Sequence, residues 1–346
     1  MTALENGCEL CAGPPEPGHN FCEGCGRDLR AATPAETAGA AEQPPAEVGA
    51  EVGAEVGQAA PGRELWTEAE TGPRWRSSRA PAGACASCGA TEIDSDGYCE
   101  NCGRRRLVGP DDVELELAGV AGVTHKGQRK QRNEDALAIG QLDKVTVAVL
   151  CDGVSSSSRA DEAAHAGVDT GIAALLASLD ESGQAEPATV AGARAAAAAV
   201  AALVTPDTAH SPPSCTYVSA VVTATDVIIG WVGDSRAYWL GDAAEESVCL
   251  TTDDADPDAG ALVRWLGADA DEMEAQVATF TPAGPGRVLL CSDGLSRYLS
   301  DPAELAVTAP GTPAETARAL NQLSLDAGGV DNIAIVIMPF PPQESS

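Results

Sequence analysis

Eight of the 12 cysteines fall into two quartets of identical spacing, C-x2-C-x10-C-x2-C, and nothing else constrains the first third of the chain as strongly. The first quartet is Cys8, Cys11, Cys22 and Cys25; the second is Cys85, Cys88, Cys99 and Cys102. Each second pair runs into Gly-Arg, as CEGCGR and CENCGR. A CxxC turn presents two thiolates from one tight knuckle, and two knuckles supply the tetrahedron of soft ligands that a structural Zn2+ takes. Units this small have almost no apolar core, so the metal supplies their folding energy, on the order of 10 kcal/mol. The spacing therefore predicts zinc ribbons over residues 1–30 and 81–106. A disulfide framework is the alternative. It needs an oxidising compartment, and Met1 to Cys25 lacks the charged-then-apolar plan of an export signal. His19 lies inside the first quartet, where four thiolates already complete the site, and reads as a loop residue.

The remaining cysteines, Cys151, Cys215, Cys249 and Cys291, stand alone, most of them in or beside apolar runs, and read as small buried hydrophobes. Between the ribbons, residues 31–80 are expected to form a disordered Ala/Glu/Pro/Gly-rich linker containing the literal repeat EVGAEVGAEVG. Its last part, Arg63 to Arg79, differs: it carries Trp66, Trp75 and four arginines. That part is open to two readings, a docking element or an irregular segment packed on its own domain.

From about Leu115 the pattern becomes α+β. Apolar runs bounded by turn residues predict strands at Val145–Cys151, Tyr217–Thr223, Val227–Val232, Arg287–Cys291 and Ile333–Met338. Helices are expected at Ala160–Leu179, Ala188–Val204 and Pro313–Leu325. The short Ala224-Thr225-Asp226 gap suggests an antiparallel hairpin, and strands grouped between sets of helices favour packed antiparallel sheets.

Acidic residues recur at the expected strand ends, beside glycine. The blocks are GQRKQRNEDA (Gly127–Ala136), CDGV with Asp152 and Gly153, GDSRAY (Gly233–Tyr238), SDGL with Asp293 and Gly294, and Asp331-Asn332 before the last strand. Carboxylates at neighbouring strand ends can converge on hard divalent cations such as Mg2+ or Mn2+. Any one block alone is an ordinary turn; the ordered set is not.

In that order the blocks resemble the metal-dependent protein serine/threonine phosphatases (the PPM family, type 2C class) over roughly residues 115–340. The resemblance implies a four-layer sandwich, two antiparallel β-sheets flanked by helices, with a binuclear Mn2+ or Mg2+ site at one end. It implies that Asp152 bridges the two ions, that Asp293 and Asp331 hold the first, and that Glu134 and the Gly153 carbonyl hold the second beside Asp135. Asp234 is open to two readings, a ligand for a third ion or a turn residue. Two such ions ~3.5–4 Å apart make water a nucleophile at neutral pH, which would attack phosphoserine or phosphothreonine directly.

Three departures from the family pattern matter. Where many members place an arginine before the NED glutamate, this chain has Lys130, flanked by Arg129 and Arg132. A lysine neutralises phosphate without clamping it bidentately. After Asp152-Gly153 come Val154 and Ser155 to Ser158, with no histidine to act as general acid. The segment between Thr251 and Gly286, where relatives carry a flap, is short and dense in aspartate.

Composition narrows the choices. With 52 acidic against 21 basic residues, net charge −31, the chain is a poor polyanion binder, and Arg104-Arg105-Arg106 alone make a weak nucleic-acid footprint. No run approaches the ~20 apolar residues of a membrane span. The sequence thus predicts a cytoplasmic phosphatase acting on phosphoproteins made by serine/threonine kinases, without nucleic-acid or membrane partners. Its cofactors would be two Mn2+ or Mg2+, three if Asp234 contributes, and two structural Zn2+. Lys130, Arg132 and Asp152 are the expected catalytic residues, and the ribbons are expected to dock partners. The alternative is a phosphopeptide-binding scaffold without turnover.

Overall fold

In a computed structural model, alternating apolar residues build each sheet so that successive side chains of one strand enter two different cores. Residues 72–79, 101, 111–256, 261–270, 274–308 and 310–342 are described. The chain divides into two units, Met1–Ala69 and Glu70–Ser346, and all described residues lie in the second. All eight cysteines expected to bind zinc fall outside the described residues.

The first strands are β1 (Arg74–Ser77), β2 (Asp112–Leu117), β3 (Val120–His125), β4 (Asp135–Leu142) and β5 (Val145–Asp152). Two long helices follow, α1 (Ala160–Ser182) and α2 (Ala185–Ala201). Then come β6 (Ser214–Cys215), β7 (Tyr217–Val222), β8 (Val227–Val232), β9 (Arg236–Gly241), β10 (Val248–Cys249), β11 (Leu266–Gly267), β12 (Gln276–Phe280) and β13 (Gly286–Cys291). The C-terminal elements are α3 (Asp293–Ser296), α4 (Pro302–Thr308), α5 (Pro313–Asp326) and β14 (Ile333–Phe340).

Two six-stranded sheets result, ordered β1-β4-β5-β7-β8-β12 and β10-β9-β13-β14-β3-β2. Every pairing recorded within them is antiparallel. On β5, Val147, Val149 and Cys151 pack under α1 and α2, while Ala148 and Leu150 enter the core between the sheets. On β14, Ala334, Val336 and Met338 face that same middle core, and Ile333, Ile335 and Ile337 pack with Leu305 of α4 and Ala317 and Leu320 of α5. Strands buried on both faces read as continuous apolar runs, which is why these two were visible in the sequence. Helix, sheet, sheet and helix form the four expected layers.

Three differences from the sequence reading have physical causes. Within the expected linker 31–80, residues 74–77 form a strand, because β1 adds to β4 in register, with Trp75 opposite Gly140 and Ser77 opposite Ala138. The Arg74 guanidinium donates to Gln141 Oε1 at 2.7 Å, and Arg79 forms an ion pair with Asp169 of α1. The described part of this segment, residues 72–79, therefore packs on its own domain, as a strand rather than as an irregular stretch. The domain also starts before Leu115, at β2 and β1. Finally, β2, β3, β4, β9 and β12 were not read as strands, nor were the two-residue β6, β10 and β11: β2 alternates with glutamate, β3, β4 and β9 each contain glycine and polar positions, and β12 mixes polar with apolar residues.

Candidate metal centre

Because adjacent strands run in opposite directions, the end of one and the start of the next lie at the same end of a sheet. Asp135 opens β4 and Asp152 closes β5, and the two are directly paired across the ladder. Asp234 lies in the turn between β8 and β9, Asp293 starts α3 immediately after β13, and Asp331 precedes β14.

The aspartates raise one another's pKa. Burial, then the charges of Asp135, Asp293, Asp331 and Asp234, push the Asp152 carboxyl well above the usual carboxylate range. Burial pushes Asp135 up to about 8; a Ser292 hydrogen bond opposes this, while the Asp331 and Asp293 charges add to it. Asp293 is raised by burial and by Asp331, and Asp234 is raised to about 6 by burial and by Asp293. Such mutual effects require proximity. Asp234 therefore belongs with the cluster, whichever of its two roles it plays.

Hydrogen bonds fix this end of the fold. The Ser292 hydroxyl donates to Asp135 Oδ2 at 2.7 Å, while Asp135 Oδ1 is buried without a hydrogen-bond partner. Thr216 Oγ1 accepts from the Asp152 N–H at 3.0 Å, and the Thr216 N–H donates to the Asp152 carbonyl. Asn332 ties the NED block down: its amide donates to the carbonyls of Lys126 and Arg132, both at 2.8 Å, and its oxygen accepts from the Glu134 N–H at 3.1 Å. Asn133 Oδ1 accepts from the Asp135 N–H at 3.2 Å. Asn133, Ser292 and Asn332 were inside the quoted blocks, but their positioning role had no signal in the sequence beyond that. Gly153 is needed for close approach rather than for a left-handed turn. A Cβ there would come within 2.7 Å of the carbonyls of Glu134 and Ala160.

Basic side chains lie over the acidic cluster. Lys130 Nζ is 2.7 Å from Asp331 Oδ1 and donates to Ser155 Oγ at 2.7 Å. Ser155 in turn donates to Glu134 Oε2 at 2.8 Å, and Arg132 Nε reaches Glu134 Oε1 at 2.9 Å. Arg297, which the sequence reading missed, spans Asp293 Oδ2 at 2.5 Å and Asp331 Oδ2 at 3.4 Å. Burial alone would lower the Lys130 and Arg297 pKa values; these carboxylates reverse the sign and raise both. Arg236 of the GDSR block plays another part, forking onto Asp253 at 2.9 and 2.7 Å.

Among the described residues, no three acidic, histidine or cysteine side chains close round a common point as a finished metal cage. The clustering of the aspartates is carried by backbone placement and charge, while Glu134, Asp293 and Asp331 are turned toward cations. The donor set nevertheless fits a hard divalent ion. All the side-chain donors are carboxylate oxygens, and the buried, unpartnered Asp135 Oδ1 beside Asp152 is costly without a cation nearby.

Known proteins share this fold and family. The family profile described as Protein phosphatase 2C matches residues 121–324. The serine/threonine protein phosphatase PstP of Mycobacterium tuberculosis is 27% identical over 243 residues, covering 63% of this chain and 44% of that protein, so the chain spans under half of that relative's length. The PstP catalytic domain, solved in complex with two manganese ions, superposes with TM-score 0.51 at 28% identity over 63% of this chain and 96% of that one. A bacterial serine phosphatase shares the fold at TM-score 0.56 and 22% identity, over 66% of this chain and all of that one. Fold, ordered acidic blocks and profile together show that the chain belongs to the protein phosphatase 2C family.

Proposed function

We propose that the protein hydrolyses phosphoserine and phosphothreonine in proteins phosphorylated by serine/threonine kinases. The observation that carries this reading is the placing of Asp135, Asp152, Asp234, Asp293 and Asp331 at strand ends, with Asp135 paired directly with Asp152. In this reading Asp152 lies between two divalent ions, Asp293 and Asp331 hold one, and Glu134 with the Gly153 carbonyl holds the other. Asp135 stands behind Asp152, and Asp234 with Asp293 could hold a third ion. When bound, Mn2+ or Mg2+ supplies the acidity that makes water nucleophilic at neutral pH.

The remaining work falls to the chain's own groups. Lys130 offers a point charge to the nonbridging phosphate oxygens, and Arg132 adds a second positive charge at the rim. Ser155 fixes the Lys130 ammonium through its hydroxyl. Leaving-group protonation falls to water or another group, since Val154 and Ser155 follow the Asp152-Gly153 pair where some relatives have histidine.

Phosphate release from a phosphothreonine peptide tests this reading. It should require Mn2+ or Mg2+, stop on chelation, and fall in Asp152→Asn with the fold intact. Removing even an outer partner of a metal ligand costs ~10–100-fold, so losing the shared ligand should cost more than about a hundredfold. Metal-independent release, or an active Asp152→Asn, would contradict it.

A second reading, a phosphopeptide-binding scaffold, has one observation in its favour: the cations resting on Glu134, Asp293 and Asp331. Saturable phosphopeptide binding with no turnover at any metal concentration would select it.

The cysteine quartets extend the proposal. Each is read as a structural Zn2+ site, two per chain, in a reducing cytoplasm where the thiolates persist. A flexible segment over residues 31–62 would give the first ribbon a reach of roughly 30 Å, enough to search for a partner protein. One zinc per chain, or none after reducing purification, would contradict this part alone.

A further inference from the structure

Arg297 is an exposed side chain placed on two carboxylates that the proposed function gives to the first metal ion. One turn of helix brings it there. Its N–H donates to the Asp293 carbonyl at 3.0 Å, and its guanidinium reaches back to Asp293 Oδ2 at 2.5 Å. The same guanidinium nitrogen is 3.4 Å from Asp331 Oδ2. The distance to Asp331 is set by short connections. Tyr298, the next residue, accepts through its hydroxyl from the Val330 N–H at 3.1 Å, which pins the turn carrying Asp331 against α3. Lys130 holds the other oxygen of Asp331. Arg297 thus bridges Asp293 and Asp331, as a cation bound between them would.

We infer that Arg297 is a resident counter-ion of the metal centre, exchanged between Asp293/Asp331 and the phosphoryl group. The inference rests on the proposed metal-dependent reading. A divalent ion taking oxygens from Asp293 and Asp331 must displace the guanidinium and, after that, sits close to its positive charge. A phosphate dianion offers the fork a partner of matching geometry and higher charge. Phosphate therefore draws Arg297 off the carboxylates and favours metal uptake, and by linkage metal favours phosphate to the same degree. This also supplies the forked cation that Lys130 cannot provide.

The test is calorimetric titration of Mn2+ into the chelator-stripped full chain, alone and with saturating inorganic phosphate, for wild type, Arg297→Gln and Arg297→Lys. A partly exposed Arg–carboxylate pair contributes up to about 1 kcal/mol, so Arg297→Gln should bind the first Mn2+ up to about fivefold more tightly without phosphate. Phosphate should then enhance Mn2+ affinity less in the variant than in wild type. Arg297→Lys, which keeps the charge but not the fork, should restore weak Mn2+ binding without restoring the full phosphate effect. Unchanged or weaker Mn2+ binding by Arg297→Gln, with an unaltered unfolding midpoint, overturns the exchange role and leaves the proposed function standing. If wild type and both variants bind no Mn2+, the metal-dependent reading falls and the exchange role with it.

Discussion

Asp135 and Asp152 face each other across the β4–β5 ladder, the first residue of one strand against the last of its neighbour. Two carboxyls so placed cannot both ionise cheaply, and burial holds the Asp135 pKa up at about 8. Asp135 therefore binds a proton in the folded chain between its ordinary pKa near 4 and about 8, where the unfolded chain has released it. Its stabilising share is complete below pH ~4 and is lost as pH rises through about 8. Chelator-stripped protein should lose stability over that window. Asp135→Asn should flatten the loss, gaining on the order of 1–3 kcal/mol near neutral pH while weakening Mn2+ binding. Denaturant unfolding at several pH values checks this; an unchanged slope in the variant would count against it.

Ser155 links Lys130 to Glu134 through one hydroxyl. Ser155→Ala should leave the fold intact and raise KM for a phosphopeptide by roughly three- to tenfold, the net worth of an ordinary hydrogen bond. Lys130→Arg should retain or improve phosphosubstrate affinity. A collapse of activity in Lys130→Arg would mean that the ammonium does something other than hold phosphate.

His165 of α1 is buried, and burial with the nearby Arg79 charge lowers its pKa to about 3. It stays neutral in the fold while the unfolded imidazole binds a proton below pH ~6.5. Its contribution is therefore present above pH 6.5 and lost as pH falls toward about 3. The stability difference between wild type and His165→Gln should change sharply across that range and be constant above it.

Strand β1 covers an edge of β4 that would otherwise present unpaired backbone groups. A chain starting at Leu107 should unfold at lower temperature and self-associate more than one starting at Gly72. Small aryl phosphates should be hydrolysed at similar rates by the full chain and by the one starting at Gly72. Equal thermal stability of the two truncated chains would show that β1 contributes nothing to the domain.

The parts of this fold legible in the sequence were those with strong local patterns. β5, β7, β8, β13 and β14 are apolar on both faces, and α1, α2 and α5 are long. α5 begins with a capping box between Thr312 and Glu315. β1 was illegible because its pairing partner lies over sixty residues away and its own sequence, RWRS, has no apolar alternation. At the proposed metal centre the order of the acidic blocks pointed to Asp135 and Asp152, which the structure pairs across one ladder. Arg297, Ser155 and Asn332 could not, because what they do depends on partners brought near by tertiary structure rather than on neighbours in the chain.

In the proposed metal centre Asp152 would be shared by two divalent ions. Electron paramagnetic resonance of the Mn2+-loaded chain tests it most directly, because two Mn2+ ions joined through a common ligand give an exchange-coupled spectrum. Wild type should show that coupled signal at two Mn2+ per chain, and Asp152→Asn should show only isolated ions or none. Isolated Mn2+ in the wild type, or a coupled pair that survives in Asp152→Asn, would contradict the claim.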